Sequence, residues 1–208
     1  MARQELDKDI PASIDIHWDE LSQRDPGEIQ RNALCAFHPP ATYRLPLFSE
    51  PCDVNYEERM IIPAHGTSLK QPRFSYLVLL TYLLQAKDIP FSGKWVTEKE
   101  LPGGDLFFRG LHALPKKELA RAFGEDPKGF LEAGLALGGV PTQSGDASFR
   151  IHLLPRITWE LILYRADEEF PADITVLMDS TASLHLRYDA LWALAHMLVS
   201  RLTELKQG

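Results

Sequence analysis

Cysteine is almost missing from this chain: Cys35 and Cys52 are the two thiols in 208 residues. Two thiols cannot supply the four ligands of a structural zinc or an iron-sulfur centre, so no protein-held iron-sulfur cluster is expected here. The N-terminal stretch MARQELDKDIPASIDIHW lacks the apolar core of a signal peptide, which favours free thiols in a reducing, cytoplasmic setting. Long hydrophobic runs are missing too. The longest, Tyr76 to Leu84, is far below the ~20 residues that cross a bilayer, so no membrane role is expected. There is no basic excess either: 29 acidic residues against 22 basic ones give a formal charge of -7, whose field repels phosphate backbones and argues against a nucleic-acid partner. No Gly-x-Ser-x-Gly elbow, phosphate-loop lysine, paired i, i+4 histidines or glycine-punctuated calcium loop occurs, and no repeat or low-complexity tract is present.

What is present is the balance of a folded protein, 45% apolar and 25% charged residues. The length suits a single domain, 1–208, with residues 1–14 as a frayed polar tail. DIHWDELSQRDPGEIQRNALCAF reads as two short helices broken at Asp25-Pro26, where aspartate caps a helix that begins on proline. Ile29, Ala33 and Leu34 are expected to face inward. Tyr43, Leu45 and Leu47 alternate as in a half-buried strand, and Val54, Tyr56 and Met60 to Ile62 suggest further short strands at a sheet edge. Residues 72–87 are apolar on nearly every side and predict a buried central helix. Asp126-Pro127 repeats the capping signal, and Gly138-Gly139 ends that helix.

The last third is the easiest to read. Three strands are expected, Ala147 to Leu154, Ile157 to Tyr164 and Ile174 to Asp179, joined by short loops that favour antiparallel neighbours. In the first, Phe149, Ile151 and Leu153 alternate with Ser148, Arg150 and His152, which puts the polar trio on one face. Apolar residues from Tyr188 to Leu202 fall at three- and four-residue steps, an amphipathic helix closing over the sheet. The fold class is therefore α+β, with helices packed on an antiparallel sheet.

Candidate chemistry gathers in two places. LPGGDLFFRGLH, Leu101 to His112, opens on Pro-Gly-Gly-Asp, which predicts a hairpin turn between strands rather than a phosphate cradle. Beyond the turn, Arg109 can pair with a carboxylate and His112 can offer a neutral nitrogen to a metal centre. The second place is the strand face of Arg150 and His152, with Asp146 just before it. It is either a cationic floor for an anionic ligand or a solvated face. The carboxylates Asp167, Glu168, Glu169 and Asp173, with Asp179 one strand away, read as a charged hairpin turn rather than a cation site. His38, His65 and His185 stand alone, and His196 flanks the inward stripe of the last helix.

The segments WVTEKELPGGDLFFRG, AFGEDPKGFLEAGLALGG and GDASFRIHLLPRITWELILYRADEEFPADITVLMDSTASLHLRYDALWALAHMLVSRL, with DPGEIQRNALCAFHPPATYRLPLFSEPCDVNY upstream, resemble the uncharacterised family called domain of unknown function 3786. The resemblance covers most of the chain. It implies a protein of anaerobic bacteria and archaea, sometimes joined to an iron-sulfur domain like that of corrinoid proteins, and it brings no catalytic residues with it. This chain has no four-cysteine module at either end, so a cluster would sit on a partner. The resulting expectation is an accessory or binding module whose ligand is a corrinoid or haem-like tetrapyrrole and whose partner is an iron-sulfur or corrinoid protein. The alternatives are a small-molecule enzyme acting on a carboxylate through Arg109, His112, Arg150 and His152, or a purely structural interaction protein. An enzyme predicts that those side chains converge in one pocket, and an interaction protein predicts an exposed apolar patch.

Overall fold

The computed structural model describes residues 13–63 and 72–207. Most of the expected frayed tail, 1–12, lies outside them, as does His65. Ser13 already begins a helix, and Ile14 is buried.

Helix α1 (Ser13–Gln23) and helix α2 (Pro26–Ala33) divide at Asp25, whose carboxylate accepts from Glu28 N at 2.7 Å. The cap satisfies one of the orphan N–H groups of the first turn. Ile29 and Ala33 face inward as expected, but Leu34 does not. It adopts the left-handed conformation, φ 51°, that ends the helix, and its side chain is exposed. The chain reversal there overrides the helical spacing that pointed Leu34 inward.

Strands β1 (Ala36–His38), β2 (Thr42–Leu47), β3 (Glu50–Asn55) and β4 (Met60–Pro63) form an antiparallel meander. The sequence suggested an edge, whereas these strands make a four-stranded sheet of their own. Tyr43 pairs with Val54 and Leu45 with Cys52 on the buried face, while Arg44 opposite Asp53 makes a two-pronged ion pair at 2.6 Å on the outer face.

Helix α3 (Pro72–Gln85) is the central helix its composition announced, buried from Ser75 to Leu83 except at Leu77. It packs on α1, α2 and the C-terminal helix. The second sheet holds β5 (Trp95–Thr97), β6 (Val140–Pro141), β7 (Ala147–Leu154), β8 (Ile157–Tyr164) and β9 (Asp173–Asp179), in the spatial order β5-β9-β8-β7-β6 with every pair antiparallel. Thus the α+β expectation holds, with two sheets in place of one.

After the short α4 (Gly104–Phe107), helices α5 (Lys116–Phe123) and α6 (Pro127–Ala136) cover the inner face of the second sheet, and, after the short α7 (Ala182–His185), α8 (Tyr188–Gln207) packs on α5, α6 and α3. The C-terminal helix therefore closes the fold over this helical layer, and its Arg201 reaches Glu50 of β3 at 2.7 Å. Phe130 of α6 meets Phe149 of β7 at 5.0 Å between centroids. Gly134 permits that approach, because a Cβ there would lie 2.5 Å from the Phe149 ring. The buried side chains of both sheets and of α1, α2, α3, α5, α6 and α8 form one continuous cluster.

Arg156, in the turn between β7 and β8, is buried and ties three segments together. Its guanidinium donates to Asn32 O, to Arg31 O at 3.0 Å, to Ile89 O at 2.8 Å and to Asp88 Oδ1 at 2.7 Å, while its backbone N–H donates to Tyr82 Oη. A buried guanidinium is tolerable only when its donors are satisfied this fully.

Candidate functional site

The segment Leu101 to His112 is not a hairpin. Gly103, at φ 80°, caps a four-residue helix, α4 (Gly104–Phe107), and a single 3-10 turn, Gly110–His112, follows. A second strand is excluded because Leu106 N and Phe107 N already donate to Gly103 O and Phe108 N to Gly104 O. The glycine at 104 answers a different need: a Cβ there would sit 2.0 Å from the carbonyl oxygen of Glu98, so the turn presses directly on the chain leaving β5.

Arg109 bends back to Asp105 of its own turn, through the Asp105 carbonyl and a carboxylate contact of 3.1 Å, and stays exposed. His112 stacks on Phe107, 4.7 Å between centroids and 20° between planes, and stands edge-on to Trp192 at 6.1 Å. Around them lies an aromatic patch. Tyr188, Trp192 and His196 follow one another at four-residue steps on α8, and Phe74 from the start of α3 meets both Trp192, at 5.6 Å, and His196, at 6.0 Å. Burial lowers the His196 pKa against the pull of Glu118, so its imidazole is neutral near pH 7. Among the described residues no hydrogen bond occupies the ring of His112 or His196, and the buried indole N–H of Trp192 has no acceptor. Beside the patch, Leu111 is 94% exposed and Leu106 71%.

Arg150 and His152 share a face as their alternation requires, but it is the outer face of the second sheet, away from α5, α6 and α8. Both charges and rings there are already engaged. Arg150 donates to Glu160 of β8 at 2.7 Å and lies 4.2 Å over the Trp95 ring. His152 Nδ1 shares a 2.7 Å hydrogen bond with Thr158 Oγ1, and Phe91 leans over it at 5.9 Å. Glu160 is buried and also accepts from Thr142 Oγ1 and Ser144 Oγ, both at 3.1 Å. Burial would raise its pKa, but the Arg150, Thr142 and Ser144 bonds together hold it below the usual carboxylate range. Asp146 sits at the other end of β7, where it accepts from Arg165 N at 2.8 Å and closes the β7-β8 ladder. The five candidates thus fall into three places: Arg109 with His112 beside the helical layer, Arg150 with His152 on the outer sheet face, and Asp146 at a turn.

The acidic residues of the β8-β9 connection do not gather into one site. Asp167 accepts from Glu169 N at 2.8 Å and Phe170 N at 2.7 Å, a side-chain-locked turn, while Asp179 lies at the far end of β9. Among the described residues no group of three or more His, Cys, Asp or Glu side chains is placed to hold a metal. Cys35 and Cys52 are free, and burial raises both thiols to about 11, which makes them poor nucleophiles and poor ligands. No described helix is long and apolar enough to cross a membrane.

The sequence treated Tyr188 and Trp192 as inward packing and His196 as a flanking residue. The four-residue spacing of three rings was the available signal, but the contribution of Phe74 from another helix was not.

A family model described as a domain of unknown function, DUF3786, matches residues 25–201. The chain belongs to that family. No curated protein and no solved structure matches it. The matched span covers the aromatic patch, both sheets and nearly all of α8.

Proposed function

We propose that the protein is a binding module without catalytic machinery of its own, and that the patch formed by Phe74, Phe107, His112, Tyr188, Trp192 and His196 is where it meets a flat, largely apolar ligand. The observation that carries this reading is the exposure of Leu111 and Leu106, 94% and 71%, beside half-buried rings on a rigid helical base. Large apolar side chains held in water on a well-packed scaffold mark an interaction surface. The separation of Arg109 and His112 from Arg150 and His152 favours binding over acid-base catalysis on a carboxylate, which needs those groups around one substrate.

The ligand that family resemblance suggests is a corrinoid or haem-like tetrapyrrole, free or carried by an iron-sulfur or corrinoid partner protein. The residues fit such a group in kind. Trp192 and Phe107 offer an apolar floor, and His112 or His196 offers an imidazole nitrogen that no protein hydrogen bond occupies. Bound there, the metal centre of the tetrapyrrole would supply the redox or group-carrying chemistry, while this chain orients and shields it.

The test is anaerobic purification followed by an absorption spectrum, then titration with aquocobalamin and with haem while tryptophan fluorescence is followed. Quenching together with a shifted cofactor band, lost in the His112→Ala/His196→Ala double variant, is the expected result. A colourless protein that binds neither cofactor overturns the tetrapyrrole assignment.

A further inference from the structure

At the hairpin end of the second sheet, and sharing no lining residue with the aromatic patch, α5 and the β8-β9 connection enclose an open groove of about 800 Å³. Its volume falls within the range of small-molecule sites. Three cations line it: Lys117 and Arg121, one helical turn apart on α5, and Arg165 just beyond β8. None of the three has an ion-pair partner among the described residues, whereas most of the arginines do; Arg31 and Arg73 are the other described arginines without one. They remain unpaired although Asp167 and Asp173 line the same groove. The Asp167 Oδ1 accepts from the backbone N–H groups of Glu169 and Phe170, which hold its pKa below the ordinary range and fix the carboxylate on its own turn. Two exposed rings complete the walls, Tyr164 at 45% and Phe170 at 65% exposure.

We propose that this groove binds a small dianion with a planar body, of which an aromatic phosphomonoester is the type. Two guanidinium forks and an ammonium lining one groove suit a phosphate or a pair of carboxylate oxygens, since each guanidinium can offer two parallel N–H donors. Tyr164 and Phe170 provide the faces on which a planar ring stacks. The chain carries a net charge of -7, whereas Lys117, Arg121 and Arg165 against Asp167 and Asp173 leave the groove one net positive charge, so attraction at short range rests on the three cations themselves.

The experiment is two-dimensional NMR of the isotope-labelled full chain, titrated at physiological ionic strength with adenosine monophosphate, with inorganic phosphate and with a tetraglutamate peptide. The expected result is saturable shifts at the Arg121 and Arg165 side-chain N–H signals and at the amides of 164–173. Adenosine monophosphate should bind about tenfold or more tightly than inorganic phosphate, through the added stacking. Arg121→Glu and Arg165→Glu, both at exposed positions, should each weaken binding about tenfold or more while leaving the rest of the spectrum in place. Phe170→Ala should erase the advantage of the nucleotide over phosphate. Absence of saturable shifts, equal affinity for phosphate and the nucleotide, tighter binding of the acidic peptide, or shifts spread over cations elsewhere would each overturn the proposal.

Discussion

Replacing Asp179 by alanine removes the one acceptor shared by two segments that hold the outer sheet face in shape. Its Oδ1 accepts from Ser92 N at 3.2 Å, Ser92 Oγ at 2.9 Å, Thr181 N at 3.0 Å and Thr181 Oγ1 at 2.7 Å, and its Oδ2 from Gly93 N at 2.8 Å. The two hydroxyls can rotate to other acceptors; Ser92 Oγ already lies 2.8 Å from Ser180 Oγ. Three backbone N–H groups cannot; that of Thr181 is buried, while Ser92 and Gly93 are exposed residues whose donors water can reach, so the loss is about 2–3 kcal/mol. Asparagine placed with its carbonyl at the Oδ1 position keeps four of the five bonds and turns an amide toward Gly93 N, so it should cost only about 1–2 kcal/mol.

Urea unfolding followed by circular dichroism measures both variants, and acid gives an independent check. Burial would raise the Asp179 pKa, but the bonds from Thr181 and Ser92 hold it below its ordinary 3.8. A depressed carboxylate contributes stability that is complete above the unfolded value and lost as pH falls through the folded one. The gap between the native chain and Asp179→Ala should therefore be full at pH 7 and close progressively below the ordinary value of 3.8. A cost under about 1 kcal/mol at pH 7, or a gap that persists undiminished in acid, would refute the account of Asp179 as an anionic clamp.

His185 is buried, and its pKa is pushed down from 6.5 to about 4 by burial and then by Arg156, with Asp179 pulling the other way and Lys87 adding to the depression. The unfolded chain takes the proton first, so stability should fall as pH drops from about 6.5 toward 4, by up to about 1.4 kcal/mol per pH unit, and His185→Gln should flatten that slope in unfolding titrations. Gly134→Ala should cost about 1–3 kcal/mol in the same assay, because its methyl meets the buried Phe149 ring at 2.5 Å and the close-packed core has little room to yield. The double change Leu106→Ser/Leu111→Ser should leave the urea midpoint within about 0.5 kcal/mol of the native chain while weakening the ligand-induced quenching of tryptophan fluorescence, since both side chains are largely in water.

The parts of the fold that could be read from sequence were those whose cause is local. The Asp25 and Asp126 caps were visible as Asp-Pro pairs, and both carboxylates do accept from the N–H three residues on, at 2.7 and 2.8 Å. The strand alternation of Phe149, Ile151 and Leu153 against Arg150 and His152 translates directly into an inner and an outer face. Where sequence reading failed, the deciding partner was distant. Gly104 looks like a turn residue until the carbonyl of Glu98 appears 2.0 Å from where its Cβ would be. Leu34 fits a helical stripe until the helix ends beneath it. The aromatic patch draws on α3, α4 and α8, and the cationic groove joins residues of α5 to the loop after β8. Neither assembly leaves a local signature.

Residue type alone also misjudges which cations are available to a ligand, and the two arginine sites here separate type from availability. Arg150 seemed a natural anion floor, yet it is held by the buried Glu160 at 2.7 Å and by the Trp95 face at 4.2 Å. A ligand taking Arg150 would leave Glu160 a buried carboxylate with only two hydroxyl donors, a loss that in such pairs commonly reaches about 3–5 kcal/mol. Any anion binding there must first exceed that cost. Arg121 and Arg165 carry the same guanidinium and have no carboxylate to give up among the described residues, so an incoming anion displaces only water. The outer sheet face is then best understood as a self-satisfied cover that fixes β5, β7 and β8 relative to one another. On the two proposals above, recognition would fall to surfaces whose polar and apolar groups the fold has not already paired: the Trp192 patch for an apolar ring system, and the α5 groove for charge.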